Sequence, residues 1–151
     1  MNKEYYMQEA LKEAQKAYKK MEVPVGAVVV LNGKIIGRGH NRKEKRKSAL
    51  EHAEIIAIKR ASKKIKNWRL NNCELYVTLE PCPMCTGAII NSRIKKVYIG
   101  ANDLRMGACG SKINLLELKF DTNIELEEGI LKDECEEILR KFFKELRKLK
   151  K

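Results

Sequence analysis

Apolar side chains at Met7, Ala10, Leu11, Ala14, Ala17 and Tyr18 recur at helical spacing and predict a first amphipathic helix. The pattern then changes period. Val25 to Leu31 is almost continuously apolar, Asn32-Gly33 follows, and Lys34 to Gly37 completes a predicted hairpin. Asn-Gly between two strands favours a type I′ turn, which needs positive φ at both central residues. Arg42 to Lys47 has no apolar period and predicts a basic loop. Ser48-Ala49-Leu50-Glu51 fits a capping box, so a helix is predicted to begin there and to carry His52 and Glu54 in its first turns. Glu74 to Leu79 predicts a strand, which Pro81-Cys82-Pro83 ends. Pro83 suits the first position of a new helix running to about Asn91. Lys96 to Ala101 predicts another strand, and Asn102 to Ser111 a glycine-containing loop. Leu131, Cys135, Ile138, Phe142, Leu146 and Leu149 form one stripe of a long C-terminal helix. Helices alternating with strands in this order predict a layered α/β domain.

Length and composition narrow the picture. The chain has 151 residues and no repeat, low-complexity tract or linker, so one domain spanning 1–151 is expected. The longest uninterrupted apolar run, Ala27 to Leu31, is far too short to cross a bilayer, and no membrane association is expected. The first residues, Met1 to Tyr6, lack the apolar segment of a secretion signal. Five cysteines, an odd number, then suggest a reducing, cytoplasmic setting with free or metal-bound thiols. Net charge is +12. Eighteen of the 32 Lys and Arg fall in three stretches, Arg42 to Lys47, Lys59 to Arg69 and Arg140 to Lys151. Such stretches fit a polyanion partner, and they also fit ordinary solvated surface.

The chemistry is concentrated in few residues. Cys82-Pro83-Met84-Cys85 is a C-x-x-C. Alone it is compatible with a redox pair, half of a structural zinc site, or two buried cysteines. Its predicted place at a helix start favours thiolates, as zinc requires. His40 and His52 are the only histidines, while Cys73, Cys109 and Cys135 have no paired spacing. His52 with Cys82 and Cys85 would give three protein ligands and one open position, the arrangement of a catalytic zinc site. Water in the open position has its pKa lowered towards about 7. Glu54, two residues past His52, is then placed to move protons rather than to bind metal. Against this stand a hydrogen-bonded core histidine and a solvated helix carboxylate.

His52-Ala53-Glu54 followed by Pro81-Cys82-x-x-Cys85 matches the signature of zinc nucleobase deaminases. The likeness extends through Pro24 to Val28, Gly39 to Arg42, Leu75 to Cys82, Gly100 to Asp103, Gly107 to Ser111 and Glu128 to Cys135, with Phe142-Phe143. These blocks resemble, in order, the bacterial tRNA-specific adenosine deaminases. That resemblance implies the cytidine deaminase-like fold, a three-layer α/β/α domain with a central mixed five-stranded sheet. It implies hydrolysis of adenosine to inosine at the wobble position of tRNA, one Zn2+ per chain on His52, Cys82 and Cys85, and Glu54 as proton shuttle. It also implies base contacts at Asn41 and Ala53, a pocket wall at Val25 and an RNA contact at Asp103. Phe143 and the basic end of the last helix around Arg147 would grip the anticodon stem-loop, and a homodimer is expected. For Asn41 the alternative is capping a turn, and for Phe143 it is core packing. Leu104-Arg105-Met106 and Thr86 depart from the family's usual residues.

Two other readings remain at this level. A small-molecule deaminase of the same fold, acting on guanine or a cytosine nucleotide, would share the metal signature. A non-catalytic RNA-binding module with structural zinc would need a fourth protein ligand and would have no use for Glu54.

Overall fold

The computed structural model describes residues 2–118, 120 and 122–150. Chain order is α1 (Lys3–Lys19), β1 (Gly26–Leu31), β2 (Lys34–His40), α2 (Lys43–Arg46), α3 (Ala53–Ile65), β3 (Cys73–Leu79), α4 (Pro83–Asn91), β4 (Lys96–Ala101), a 3-10 turn (Leu115–Glu117), β5 (Glu125–Glu128) and α5 (Lys132–Leu149). The sheet order is β2-β1-β3-β4-β5. β1 pairs antiparallel with both β2 and β3, whereas β3–β4 and β4–β5 are parallel, so the five-stranded sheet is mixed.

Strand alternation sends side chains to two cores. Ala27, Val29, Leu75, Val77, Val97 and Ile99 pack with Ala53, Ala57 and Ala61 of α3 and Ile89 of α4. On the opposite face, Val28, Val30, Tyr76 and Tyr98 pack with Tyr6, Met7 and Ala10 of α1 and Cys135 of α5. Helices therefore cover both faces, giving the three layers of the cytidine deaminase-like fold. The interior also holds acids. Glu9, Glu13, Glu22, Glu54, Glu74 and Glu80 are buried, and no buried Lys or Arg accompanies them among the described residues.

The Asn32-Gly33 turn has φ of 50° and 77°, as the type I′ reading requires. β2 extends to His40, beyond the expected Gly37, because an extra residue at Ile36 makes a bulge and pairing then resumes to Gly26↔His40. Three further features differ from expectation. α3 starts at Ala53, five residues after Ser48, whose Oγ accepts from Leu50 N at 3.2 Å in a local turn and leads no helix. The basic loop contains a single helical turn, α2. Leu131 sits at φ 53° as the residue before α5, and Leu149 is 69% exposed, so the apolar stripe buries only Cys135, Ile138 and Phe142. Among the described residues no helix is long and apolar enough to cross a membrane.

Candidate metal centre and its rim

Two helix N-termini meet at one point. His52 is the N-cap of α3, with extended backbone at φ −83° and ψ 154°. Cys82 is the N-cap of α4, and Pro83 occupies the first helical position. Gly39 of β2 lets α3 lie directly on the sheet, since a Cβ there would stand 2.4 Å from the Ala53 carbonyl oxygen. His52 Nδ1 is 3.7 Å from Cys82 Sγ and 3.4 Å from Cys85 Sγ. The three candidate ligand atoms all lie within 4.8 Å of one another.

These distances suit zinc. Tetrahedral bonds of about 2.3 Å to sulfur and about 2.0 Å to nitrogen separate S and N by roughly 3.5 Å. The donor set, one imidazole and two thiols, has zinc's preferred softness. Its electrostatics agree. A hydrogen bond from Cys85 and, against a burial penalty, one from His52 hold the Cys82 thiol down to about 4. The shared proton and burial push Cys85 up. Both helix dipoles favour negative charge at the point where the thiolate forms.

Glu54 is 4% exposed in the first turn of α3, and burial raises its carboxyl to about 7, despite opposing effects of the backbone and His52. One residue before it, hydrogen bonds join three of the other expected contacts. Asn41 N donates to the Val25 carbonyl at 3.2 Å, and Ala53 N donates to Asn41 Oδ1 at 2.9 Å. Val25, Asn41 and Ala53 are thus joined to each other beside His52. Asn41 caps α3 with its oxygen, and that bond does not use its amide nitrogen.

The remaining expected contacts lie on a neighbouring rim. Asp103 is half-buried, and its Oδ1 accepts from the N–H groups of Arg105 and Met106. Phe143 is 40% exposed, so the core-packing alternative falls to Phe142, which is 3% exposed. Phe143 and Arg147 line a groove of about 510 Å3 with Ala101, Asn102 and Arg140, which places them beside the root of the Asp103 loop.

Sequence reasoning missed two buried carboxylates that each pin a loop through its backbone N–H groups. Glu22 accepts from Glu44 N at 3.1 Å and Lys45 N at 2.8 Å, pinning the first turn of α2. Glu80 binds the loop after β4, and its hydrogen bonds outweigh burial to keep its carboxyl below the usual range. Only the position of Glu80, directly before the Pro81-Cys82 turn, offered a sequence signal.

A His-Cys-Cys group with a buried carboxylate two residues past the histidine defines the zinc nucleobase deaminase class of site. Residues 1–147 match the family described as MafB19-like deaminase. The chain is 51% identical over 149 residues to a tRNA-specific adenosine deaminase of Bacillus subtilis (strain 168), covering 98% of this chain and 92% of that one. A solved structure from work on A-to-I editing by tRNA:A34 deaminases at the wobble position of transfer RNA superposes with a TM-score of 0.83. It has 38% identity and covers 89% of this chain and 99% of that one. A guanine deaminase from Nitrosomonas europaea has the same TM-score of 0.83 but 25% identity, over 93% and 84% of the two chains. The chain belongs to the deaminase family, among the tRNA-specific adenosine deaminases.

Proposed function

We propose that this protein hydrolyses adenosine to inosine at the wobble position of a tRNA, in the cytoplasm, as a single 1–151 domain with one Zn2+ on His52, Cys82 and Cys85. The observation that carries the reading is the 51% identity over nearly the full length of a tRNA-specific adenosine deaminase. The guanine deaminase superposes with the same TM-score of 0.83 as the tRNA:A34 deaminase structure, at 25% identity against 38%, so fold alone does not choose the substrate. Net charge of +12 favours a polyanion over a free base.

Zinc held by His52, Cys82 and Cys85 would make a water acidic enough to lose a proton near neutral pH. Glu54 takes that proton as water adds at C6 of adenine, and delivers it to the ring nitrogen. It then takes the remaining proton from the new C6 hydroxyl and passes it to the amine, which leaves as ammonia as the C6–N bond breaks and the C6 carbonyl forms. Burial of the Glu54 carboxyl keeps bulk water from competing for these protons. Asn41 orients the base, Val25 walls the pocket, and the Ala53 backbone, held by its N–H on Asn41, lines the base edge. Asp103 meets the flanking nucleotides, while Phe143 and Arg147 hold the stem-loop by stacking and charge. A loop base is already largely unstacked, so presenting it costs less than extruding one from a duplex. The protein acts as a homodimer.

The test incubates the protein with an anticodon stem-loop carrying adenosine at the wobble position and with a duplex of the same sequence. Inosine in the loop and hardly any in the duplex is expected. Deamination of free guanine or a cytosine nucleotide, with neither RNA modified, would transfer the site to the small-molecule class.

A further inference from the structure

Glu80 connects the end of β3 to the Pro81-Cys82 turn, and it is 2% exposed. Its carboxylate accepts five hydrogen bonds, all from residues 102–111. Oε1 takes Asn102 Nδ2 at 3.3 Å, Asp103 N at 3.1 Å and the Ser111 hydroxyl at 2.5 Å. Oε2 takes Cys109 N at 3.0 Å and Ser111 N at 3.1 Å. One buried side chain therefore gathers both ends of an irregular loop and satisfies three of its backbone N–H groups. Nothing larger than glycine fits opposite it. A Cβ on Gly107 would stand 2.4 Å from the Glu80 carboxylate and 2.4 Å from the Asp103 carbonyl oxygen. The same loop is tied to the candidate ligand turn by Ala108 N, which donates to the Pro81 carbonyl at 2.9 Å.

We propose that Glu80 is a positioning residue for the RNA substrate, clamping the 102–111 loop so that Asp103 is presented at the rim before the substrate arrives. This rests on the reading above, in which Asp103 meets nucleotides beside the target base. A preformed loop spares the ordering cost that binding would otherwise carry. The clamp acts on affinity and leaves the proton transfers of Glu54 alone.

Glu80→Gln preserves volume but not function as a clamp. An amide in either orientation turns its NH2 towards at least two N–H donors. In the zinc-loaded protein the amides of Asp103, Cys109 and Ser111 should exchange with solvent about tenfold faster or more, since their local opening becomes easier. KM for the stem-loop should rise about tenfold while kcat stays within about threefold, the signature of lost uniform binding. Zinc content should not change. Ser111→Ala should move the same readouts less, and should add little on top of Glu80→Gln because both act on one loop. If Glu80→Gln does not fold, Ser111→Ala carries the same readouts. Unchanged exchange at the three amides overturns the clamp. Loss of zinc, or of kcat with KM unchanged, overturns it too, because Glu80 would then serve the ligand turn. Exchange needs no RNA, so a wild-type protein that edits no stem-loop overturns the proposed function and the affinity claim, while faster exchange in Glu80→Gln still supports the clamp.

Discussion

The Asn41 side-chain oxygen accepts the first backbone N–H of α3, from Ala53, at 2.9 Å. That bond fixes the helix end from which His52 and Glu54 project, and it points the Asn41 amide nitrogen away from the helix. Capping and substrate contact can therefore be separated. Asn41→Asp keeps the acceptor and removes the NH2 donor, so it should fold with near-normal stability and lose turnover. Asn41→Ala should lose turnover and also about 1 kcal/mol of stability, the usual worth of a helix cap. Thermal denaturation alongside inosine formation distinguishes the two. Equal stability of both variants would show that the cap contributes nothing.

Glu54→Gln should keep the fold and the metal while turnover falls by at least about 10²-fold, because only proton transfer is removed. Metal analysis and single-turnover inosine formation on the stem-loop provide the check. A near-normal rate would assign the proton transfers to another group.

Cys82→Ala should lose zinc and activity together, since two remaining ligands do not hold a catalytic zinc. Wild-type protein should carry about one zinc per chain. Chelation should abolish activity, and added zinc should restore it. A purified, folded wild type without zinc that still deaminates would sink the metal assignment.

Stability should depend on acid through Glu13 of α1. Burial pushes its carboxyl up, but hydrogen bonds from His40 and Lys16 outweigh burial and bring it down to about 2 from the ordinary 4.5. His40 Nδ1 lies 3.1 Å from Glu13 Oε1, Lys16 Nζ 2.7 Å and Arg38 Nη1 4.0 Å from Oε2, with Glu9 alongside on α1. A folded-state value below the unfolded one contributes stability that is complete above about pH 4.5 and lost as pH falls towards 2. The loss amounts to at most about 3 kcal/mol. Denaturant melts across that window should show the decline, and Glu13→Gln should flatten it. An unchanged slope in that variant would place the acid sensitivity elsewhere.

RNA affinity should fall steeply with salt as Lys and Arg on phosphates release counterions. Neutralising Arg147, Lys148, Lys150 and Lys151, the last of which lies outside the described residues, should weaken binding and lower the slope. Activity at saturating RNA should change little. Filter binding over a salt series would reveal a salt-independent affinity, which favours a small uncharged substrate.

Local signals carried most of the architecture. Asn32-Gly33 set the hairpin through backbone torsions, and Pro83 marked the start of α4 through its missing N–H. Tertiary context decided the misplaced boundaries. His52 must be extended to turn its ring towards Cys82 and Cys85, which overrides a capping box at Ser48 that is locally sound. β5, Glu125-Leu126-Glu127-Glu128, has three acids in four residues and is held by parallel pairing to β4, so no apolar period announces it. The metal group was legible because its chemistry restricts residue type as well as spacing. Glu80 and Glu22 were not, because a carboxylate bound to backbone N–H groups looks in sequence like any surface acid.

The burial of six glutamates changes what an approaching nucleic acid meets. Of the nineteen Asp and Glu among the described residues six are buried, all of them glutamates, and no Lys or Arg is buried there. Mobile ions damp fields beyond about 8 Å at physiological salt. A phosphate at contact distance is then governed by the outer shell of charge, and these six glutamates, which offset cations on paper, sit a layer further away. The formal +12 is the charge seen from afar; the skin of the molecule is more cationic than its formula.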